Sequence, residues 1–275
     1  MSQSPNPITP SSYDEYGTLK KVVMCEPLYL TEKNIDVEKA VQQHREFTNA
    51  LKDFGVEVIL LPPDPHHTER VFTRDIGFVV GTTLYITEMT KMGRFHEESF
   101  FKNWLNHNGI LYTNLSQDQI EAGDVITDQD MVYIGLSDRT TKQSIRHMVH
   151  LLPAHTVMTV PFTDKYLHLY CVFNIISPHE AIIYACEINQ KDVEYLASKY
   201  ELIHVTKEEQ ERLGTNILSI GNKKIFSIPE NKTVNRQLRE RGYEVIEVEY
   251  SEMIKAGGSF RCSTLPLVRE KFHHA

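Results

Sequence analysis

Apolar positions along this chain follow two rhythms in turn, a helical one and a strand-like one, and the alternation repeats at a regular distance. Behind Asp36, a residue suited to cap a helix, Val37, Val41, Phe47, Leu51 and Phe54 recur close to helical spacing, and Gly55 ends the run. A strand is expected over 56–61. The same junction returns near the C-terminus, where Val234 and Leu238 share a helix, Gly242 stops it and a strand covers 243–248. The two glycines lie 187 residues apart, close to four units of 47. Further helices are expected over 192–199, with a strand over 201–205 behind it, and over 141–152, where Ile145, Met148, Val149 and Leu152 fall on one face.

A second recurring pattern is a short polar opening followed by two apolar strands. It occurs over 72–80 with 83–86, 121–126 with 131–134, 167–176 with 181–184, and 214–218 with 224–228; residues 257–262 open a fifth. Asp128-Gln129-Asp130 and Gly221-Asn222-Lys223 have the chemistry of hairpin turns. Five units of two or three strands and a helix, with a period of 43 to 49 residues, predict a closed α/β ring rather than two separate domains. Residues 22–25 would complete the ring by pairing with the last unit. No low-complexity linker divides the chain, so it reads as one domain over 1–275, with 1–15 as a flexible N-terminal segment.

Composition narrows the function classes. The 275 residues are 41% hydrophobic and 24% charged, ordinary for a globular protein able to bury a large core. No stretch reaches the roughly 18 uninterrupted apolar residues that span a bilayer, and the polar, Pro/Ser-rich start is no secretory signal. Four cysteines without a CxxC pair favour free thiols in a reducing compartment, which points to the cytoplasm. A net charge of −8 argues against a nucleic-acid partner and permits a cationic small-molecule substrate. It leaves a homodimer open.

Chemistry-bearing residues fall on the repeat. Asp75, Glu121, His168 and Cys262 are separated by 46, 47 and 94 residues, the last spacing being two units. In a ring, corresponding positions of successive units converge on the axis, so these four are expected to share one central site. Free cysteine ordinarily packs as a small hydrophobe, the reading given to Cys25, Cys171 and Cys186, which lie in apolar strand-like stretches. Cys262 stands apart because Arg261 beside it would stabilise a thiolate, the nucleophilic form. His168, inside an otherwise apolar strand, is the candidate acid/base, and Glu121 its orienting partner. Asp75, pointing into a central pocket, needs a cation, and a guanidinium matches a carboxylate with two hydrogen bonds. Arg139, just ahead of a helix start, suits a substrate carboxylate. Asp124 frames the mouth of a strand and is a further binding candidate. No histidine spacing suggests a metal site.

The sequences FTRD at 72–75, EAGD at 121–124, LSDRTT at 136–141, LHL at 167–169 and GGSFRCST at 257–264, in this order, resemble the guanidine-modifying superfamily. That superfamily includes dimethylarginine dimethylaminohydrolase, arginine deiminase and the glycine and inosamine amidinotransferases. The resemblance implies a five-bladed α/β propeller of repeated ββαβ-type units. It further implies a cofactor-free reaction in which Cys262 attacks a guanidinium carbon, His168 is the general acid/base, Glu121 positions it, Asp75 grips the guanidinium and Arg139 holds the amino-acid carboxylate. Deiminases and amidinotransferases carry His-x-Asp where this chain has His168-Leu169-Tyr170. Dimethylarginine dimethylaminohydrolases also lack that aspartate, whereas FTRD is more typical of the other two groups. A tyrosine face at 170 could accept N-methyl groups or stack on a cation. The implied activity is hydrolysis of an N-methylated arginine to citrulline, with arginine deiminase or amidinotransferase as the alternative. A non-catalytic propeller used for binding is the alternative of another class. The loop 62–71, or the segment 89–98 carrying Arg94, would close over the ligand.

Overall fold

A computed structural model describes residues 8–31, 34–89, 91, 93–116 and 118–272. Its strands form five three-stranded sheets, each built on one plan: an antiparallel hairpin, a helix, and a strand returning parallel to the second hairpin strand. The first blade holds β1 (Leu19–Cys25), α1 (Val37–Asp53) and β2 (Glu57–Leu61). In the second are β3 (Gly77–Val80), β4 (Thr83–Ile86), α2 (Glu97–His107) and β5 (Thr113–Asn114). The third consists of β6 (Val125–Asp128), β7 (Met131–Leu136), α3 (Lys142–Leu151) and β8 (Thr156–Pro161). Next come β9 (Phe173–Ile175), β10 (Glu180–Ile183), α4 (Gln190–Lys199) and β11 (Glu201–His204), followed by the short α5 (Lys207–Gln210). The fifth comprises β12 (Leu218–Gly221), β13 (Lys224–Ser227), α6 (Lys232–Glu240) and β14 (Glu244–Glu247). After α7 (Ser251–Lys255), β15 (Leu265–Arg269) pairs antiparallel with β1 and completes the first blade from the other end of the chain. This is the expected five-bladed α/β propeller, closed by residues 22–25 as their pattern suggested.

Local chemistry accounts for the elements. Asp36 caps α1 by accepting from Lys39 N at 3.0 Å, and Thr141 caps α3 by accepting from Ser144 N at 3.2 Å. Gly55 and Gly242 end their helices with φ of 80° and 81°, which a residue with a Cβ adopts at a cost. The first strand of the second blade is apolar throughout: all four residues of β3 are buried. One face of α3 is narrower than its pattern suggested, since Val149 is 47% exposed while Ile145 and Met148 are buried.

Aromatic packing ties the last turn to the first helix. Phe47 of α1 meets Phe226, Tyr250 and Phe260 edge-on, with centroids 5.1, 5.4 and 4.8 Å away. Tyr250 and Phe260 stack at 4.7 Å. Each such pair adds about 1 kcal/mol beyond the area it buries. Phe260 lies two residues before Cys262, so this cluster fixes the turn that carries the thiol.

The N-terminal segment departs from expectation. Residues 1–7 lie outside the described residues, but 8–15 are not loose. Ser11 bridges to Val268, Ser12 to Gly81 and Asp14 to Asp128, joining the first three blades. Glu15 is buried in ion pairs with Arg74 (3.3 Å) and Arg261 (3.0 Å). Polarity there reflects backbone pairing and a buried charge cluster, not solvation. Among the described residues, no helix is long and apolar enough to cross a membrane.

Candidate active site

Each blade delivers the chain toward the axis through a turn just ahead of its first hairpin strand. Three of these are 3-10 turns, Thr73–Ile76, Ala122–Asp124 and Leu169–Cys171, and turns of neighbouring blades pack on one another. Asp75 lies within the first; Glu121 and His168 immediately precede the second and third. Cys262 sits in the turn before β15. None of the four is in a strand, contrary to the strand-like reading of their surroundings. His168 has extended backbone (φ −141°, ψ 157°) but lies ahead of β9, outside the ladder. A turn aims a single side chain inward, whereas a strand would send neighbours to opposite faces.

His168 stands between two carboxylates. Its Nε2 is 2.8 Å from Glu121 Oε2, and its Nδ1 is 3.6 Å from Asp75 Oδ1. Burial opposes the charged ring, but Asp75 and the hydrogen bond to Glu121 prevail and push its pKa up to about 9. For Glu121 burial likewise opposes charge, and His168 with Arg139 overcomes it, holding the carboxyl down at about 2. Arg139 Nη1 donates to Glu121 Oε1 at 2.8 Å. The resting site therefore contains an imidazolium locked to a carboxylate. Gly123 makes the fit possible: a Cβ there would come within 2.5 Å of the His168 ring.

Cys262 is a neutral thiol in this state. Burial, then the charge of Asp75, pushes its pKa up. The Arg261 guanidinium, expected to stabilise a thiolate, turns away to Glu15 and to Asn174 Oδ1 (2.8 Å). The Tyr170 hydroxyl, the Ser259 backbone and Asn216 Nδ2, the last 3.1 Å from the sulfur, act in the opposite direction to burial and Asp75. Sequence pattern alone does not mark Asn216, although it lies 46 residues before Cys262 and so falls on the repeat. That spacing was the available signal.

Asp75 already has partners. Its Oδ1 accepts from the Tyr170 hydroxyl at 3.0 Å, and its Oδ2 from Arg94 Nη1 at 2.6 Å. Arg94 also forks onto Glu97 at 2.6 and 3.1 Å and donates to the Phe72 carbonyl at 3.2 Å. The cation that a buried carboxylate demands is thus supplied from within the chain. Tyr170 offers Asp75 its hydroxyl rather than presenting an open face, and the cation over its ring is Arg261, 5.6 Å from the centroid.

Asp75, Arg94, Glu121, Arg139, His168, Tyr170 and Cys262 all line one small cavity of about 70 Å³, with Phe72, Leu167 and Gly258. Asp124 does not line it. That carboxylate is buried behind the turn, accepting from Ser137 Oγ (2.7 Å), Thr140 Oγ1 (2.6 Å) and Leu169 N (2.9 Å). It fixes the Arg139 loop and the residue after His168, and burial raises its pKa to about 6. Of the cysteines read as structural, Cys25 and Cys171 are buried, but Cys186 is exposed in the turn Ala185–Glu187 beyond β10.

The two candidate lid segments are clasped to each other. Lys91 Nζ contacts both oxygens of Glu69 at 2.6 and 2.8 Å, and His67 Nε2 lies 3.1 Å from the Phe95 carbonyl. Thr90 and Met92, within the second segment, lie outside the described residues.

Comparison with known proteins places this geometry. The family model described as "N,N dimethylarginine dimethylhydrolase, eukaryotic" matches residues 27–269. A Bacillus subtilis relative, the uncharacterized protein YkgA, is 47% identical over 268 residues, covering 93% of this chain and 94% of its own. The N(G),N(G)-dimethylarginine dimethylaminohydrolase of Pseudomonas aeruginosa is 28% identical over 233 residues, 84% of this chain and 89% of that one. The N-terminal domain of ArgZ, described as an arginine dihydrolase from the ornithine-ammonia cycle in cyanobacteria, shares the fold. Its TM-score is 0.83 at 22% identity, covering 90% of this chain and 97% of that domain. With a match running through all five blades, the chain belongs to the dimethylarginine dimethylaminohydrolase family of the guanidine-modifying superfamily.

Proposed function

We propose that the protein hydrolyses the guanidino group of an N-methylated arginine, giving citrulline and an alkylamine through a covalent intermediate on Cys262. The observation that carries this reading is one buried cavity lined by a thiol, an imidazolium and two carboxylates, Cys262, His168, Asp75 and Glu121. In it, the Cys262 thiol, neutral in the resting site, gives up its proton to solvent as the cationic substrate binds, and the thiolate adds to the guanidinium carbon. His168, already protonated, gives its proton to the departing methylamine nitrogen as the C–N bond breaks, leaving a planar thiouronium on sulfur. Neutral His168 then takes a proton from water as the oxygen adds to the same carbon. The C–S bond breaks, citrulline leaves, His168 is again an imidazolium, and the thiolate takes a proton back from solvent. A His168 pKa near 9 suits the acid step at neutral pH.

A guanidinium ligand would take the place of Arg94, whose own guanidinium donates to Asp75 at the cavity. Preference for a methylated nitrogen rests on Tyr170. With one oxygen of Asp75 taken by the Tyr170 hydroxyl and no second carboxylate at 170, the free nitrogens of unmodified arginine would lack partners, an expensive mismatch in a buried site. The Pseudomonas relative's name points to the same substrate. A 70 Å³ cavity holds about two water molecules. Substrate entry therefore requires Arg94 to leave Asp75 and the Lys91–Glu69 clasp to open.

A substrate panel tests the proposal. Purified protein is given arginine, monomethyl- and dimethylarginine, each with and without glycine, and citrulline, ornithine and amine are measured. Citrulline with methylamine or dimethylamine is expected from the methylated substrates. Ornithine appearing only with glycine, or faster citrulline formation from arginine, would overturn it.

A further inference from the structure

We infer that Asn216 stabilises the Cys262 thiolate: its side-chain amide, held rigidly in the axial turn of the fourth-to-fifth blade junction, donates directly to the nucleophilic sulfur. The inference deepens the reading of Cys262 as nucleophile and rests on it. Asn216 is fully buried, and its Nδ2 lies 3.1 Å from Cys262 Sγ. The orientation of the amide is not free. Arg261 N donates to Asn216 Oδ1 at 3.0 Å, so the oxygen must face that N–H and the NH2 must face the sulfur. The donor and the turn carrying the thiol are thereby joined at two points.

The backbone on either side of Asn216 is clamped as well. Asn174 Nδ2 donates to the carbonyls of Thr215 (2.9 Å) and Ile217 (2.8 Å). The Asn174 Oδ1 in turn accepts from Arg261 Nη1 at 2.8 Å. Asn216 N closes back on the Leu213 carbonyl at 2.8 Å. Such a supported donor costs no reorganisation when charge develops on sulfur.

The Tyr170 hydroxyl and the Ser259 backbone also favour the anion, but Asn216 is the side-chain donor whose nitrogen the structure places 3.1 Å from the sulfur. Asp75 disfavours the anion, and Cys171, Tyr170 and Tyr250 are acids that burial keeps neutral. The single hydroxyl proton of Tyr170 is directed at Asp75, and His168 is committed to Glu121. Asn216 has two N–H groups and no charge partner. One faces Cys262, and the more distant sulfur of Cys171 lies at 4.0 Å.

The test reads the thiol without substrate. Full-length wild type, Asn216→Leu and Asn216→Asp are treated with iodoacetamide across pH, and alkylation is followed by mass spectrometry on the Cys262 peptide, because exposed Cys186 also reacts. Asn216→Leu removes the donor at similar volume. Asn216→Asp keeps the acceptor for Arg261 N and replaces the donor with an oxygen, so it preserves the fold if the other variant does not. The expected result is a Cys262 pKa raised by about one unit or more, and alkylation at fixed pH slowed about tenfold or more, in every folded variant. For the guanidino reaction, kcat should fall by a similar factor with KM little changed. Unaltered alkylation profiles in a folded variant, even with a lower melting temperature, would overturn the inference. Shifted profiles in a protein that turns over no guanidino compound would instead sink the functional reading and leave the role of Asn216 standing.

Discussion

At the scale of single residues the site is an arrangement of opposed charges whose balance is pH-dependent. His168, ordinarily near 6.5, titrates at about 9 in the fold because Asp75 and Glu121 prevail over its burial. A raised folded pKa contributes stability that is complete below about pH 6.5 and lost as pH rises through about 9. Glu121 is held down at about 2, so its own contribution is present above about pH 4.5 and constant across that window. The stability gap between wild type and His168→Gln should therefore shrink between about pH 6 and pH 10, measured by denaturant midpoints. A gap independent of pH would show that the ring is neutral. Cys262→Ser should abolish turnover and spare the melting curve. Asp75, Glu121, His168 and Cys262 were legible because ionisable side chains at whole repeat units stand out from apolar surroundings. Asn216 occupied the same grid but is a neutral amide, which carries no chemical signal until its partner is known. Asp124 misled for the opposite reason: it is three residues from Glu121, and only the turn geometry shows that it faces Ser137 and Thr140.

Elements position these groups through caps and close approaches. The hydrogen bond from Lys39 N to Asp36 makes Asp36→Ala a loss of about 1 kcal/mol in folding free energy, measured by chemical denaturation. Gly123→Ala acts differently. A methyl there meets the imidazole at 2.5 Å and the Tyr170 ring at 2.8 Å, so the ring must move away from Glu121. Activity should fall at least about 100-fold, since misplacement near 1 Å costs that much, while circular dichroism stays native. Helices with a cap and a clean apolar stripe, such as α1 and α3, could be read from sequence. α2 could not. The residue before it, His96, is left-handed (φ 66°) and makes no side-chain cap, and two of the helix's buried residues, Glu97 and Glu98, are charged. Their burial depends on ion pairs: Arg94, three residues before the helix starts, pairs with Glu97, and Lys102, one turn along it, with Glu98.

For the molecule as a whole, the repeat period told the number of blades and the way the ring closes, because one unit cannot bury its faces alone. What it could not tell was the contribution of residues 8–15. Their polar composition resembles a loose tail, yet Ser12 and Gly81 exchange backbone hydrogen bonds at 2.8 Å and Arg269 N donates to the Ser11 carbonyl at 2.6 Å. Glu15 balances a buried cluster of Arg74, Arg261 and Arg269, and burial lowers the Arg269 pKa to about 10 despite that carboxylate. Glu15→Gln leaves these cations without their anion and should destabilise the fold by about 3–5 kcal/mol, read as a large drop in denaturant midpoint. Arg74 and Arg261 directly precede Asp75 and Cys262, so the same cluster that locks the ring also anchors the two turns that carry those side chains.

The most direct measurement of the central claim is mass spectrometry of enzyme quenched in acid during turnover of N-methylarginine. The account predicts a thiouronium adduct, substrate minus methylamine, mapped to the peptide containing Cys262 and decaying as citrulline appears. Citrulline formation with the adduct on another residue, or with no adduct on an enzyme trapped at steady state with slowed hydrolysis, would contradict it.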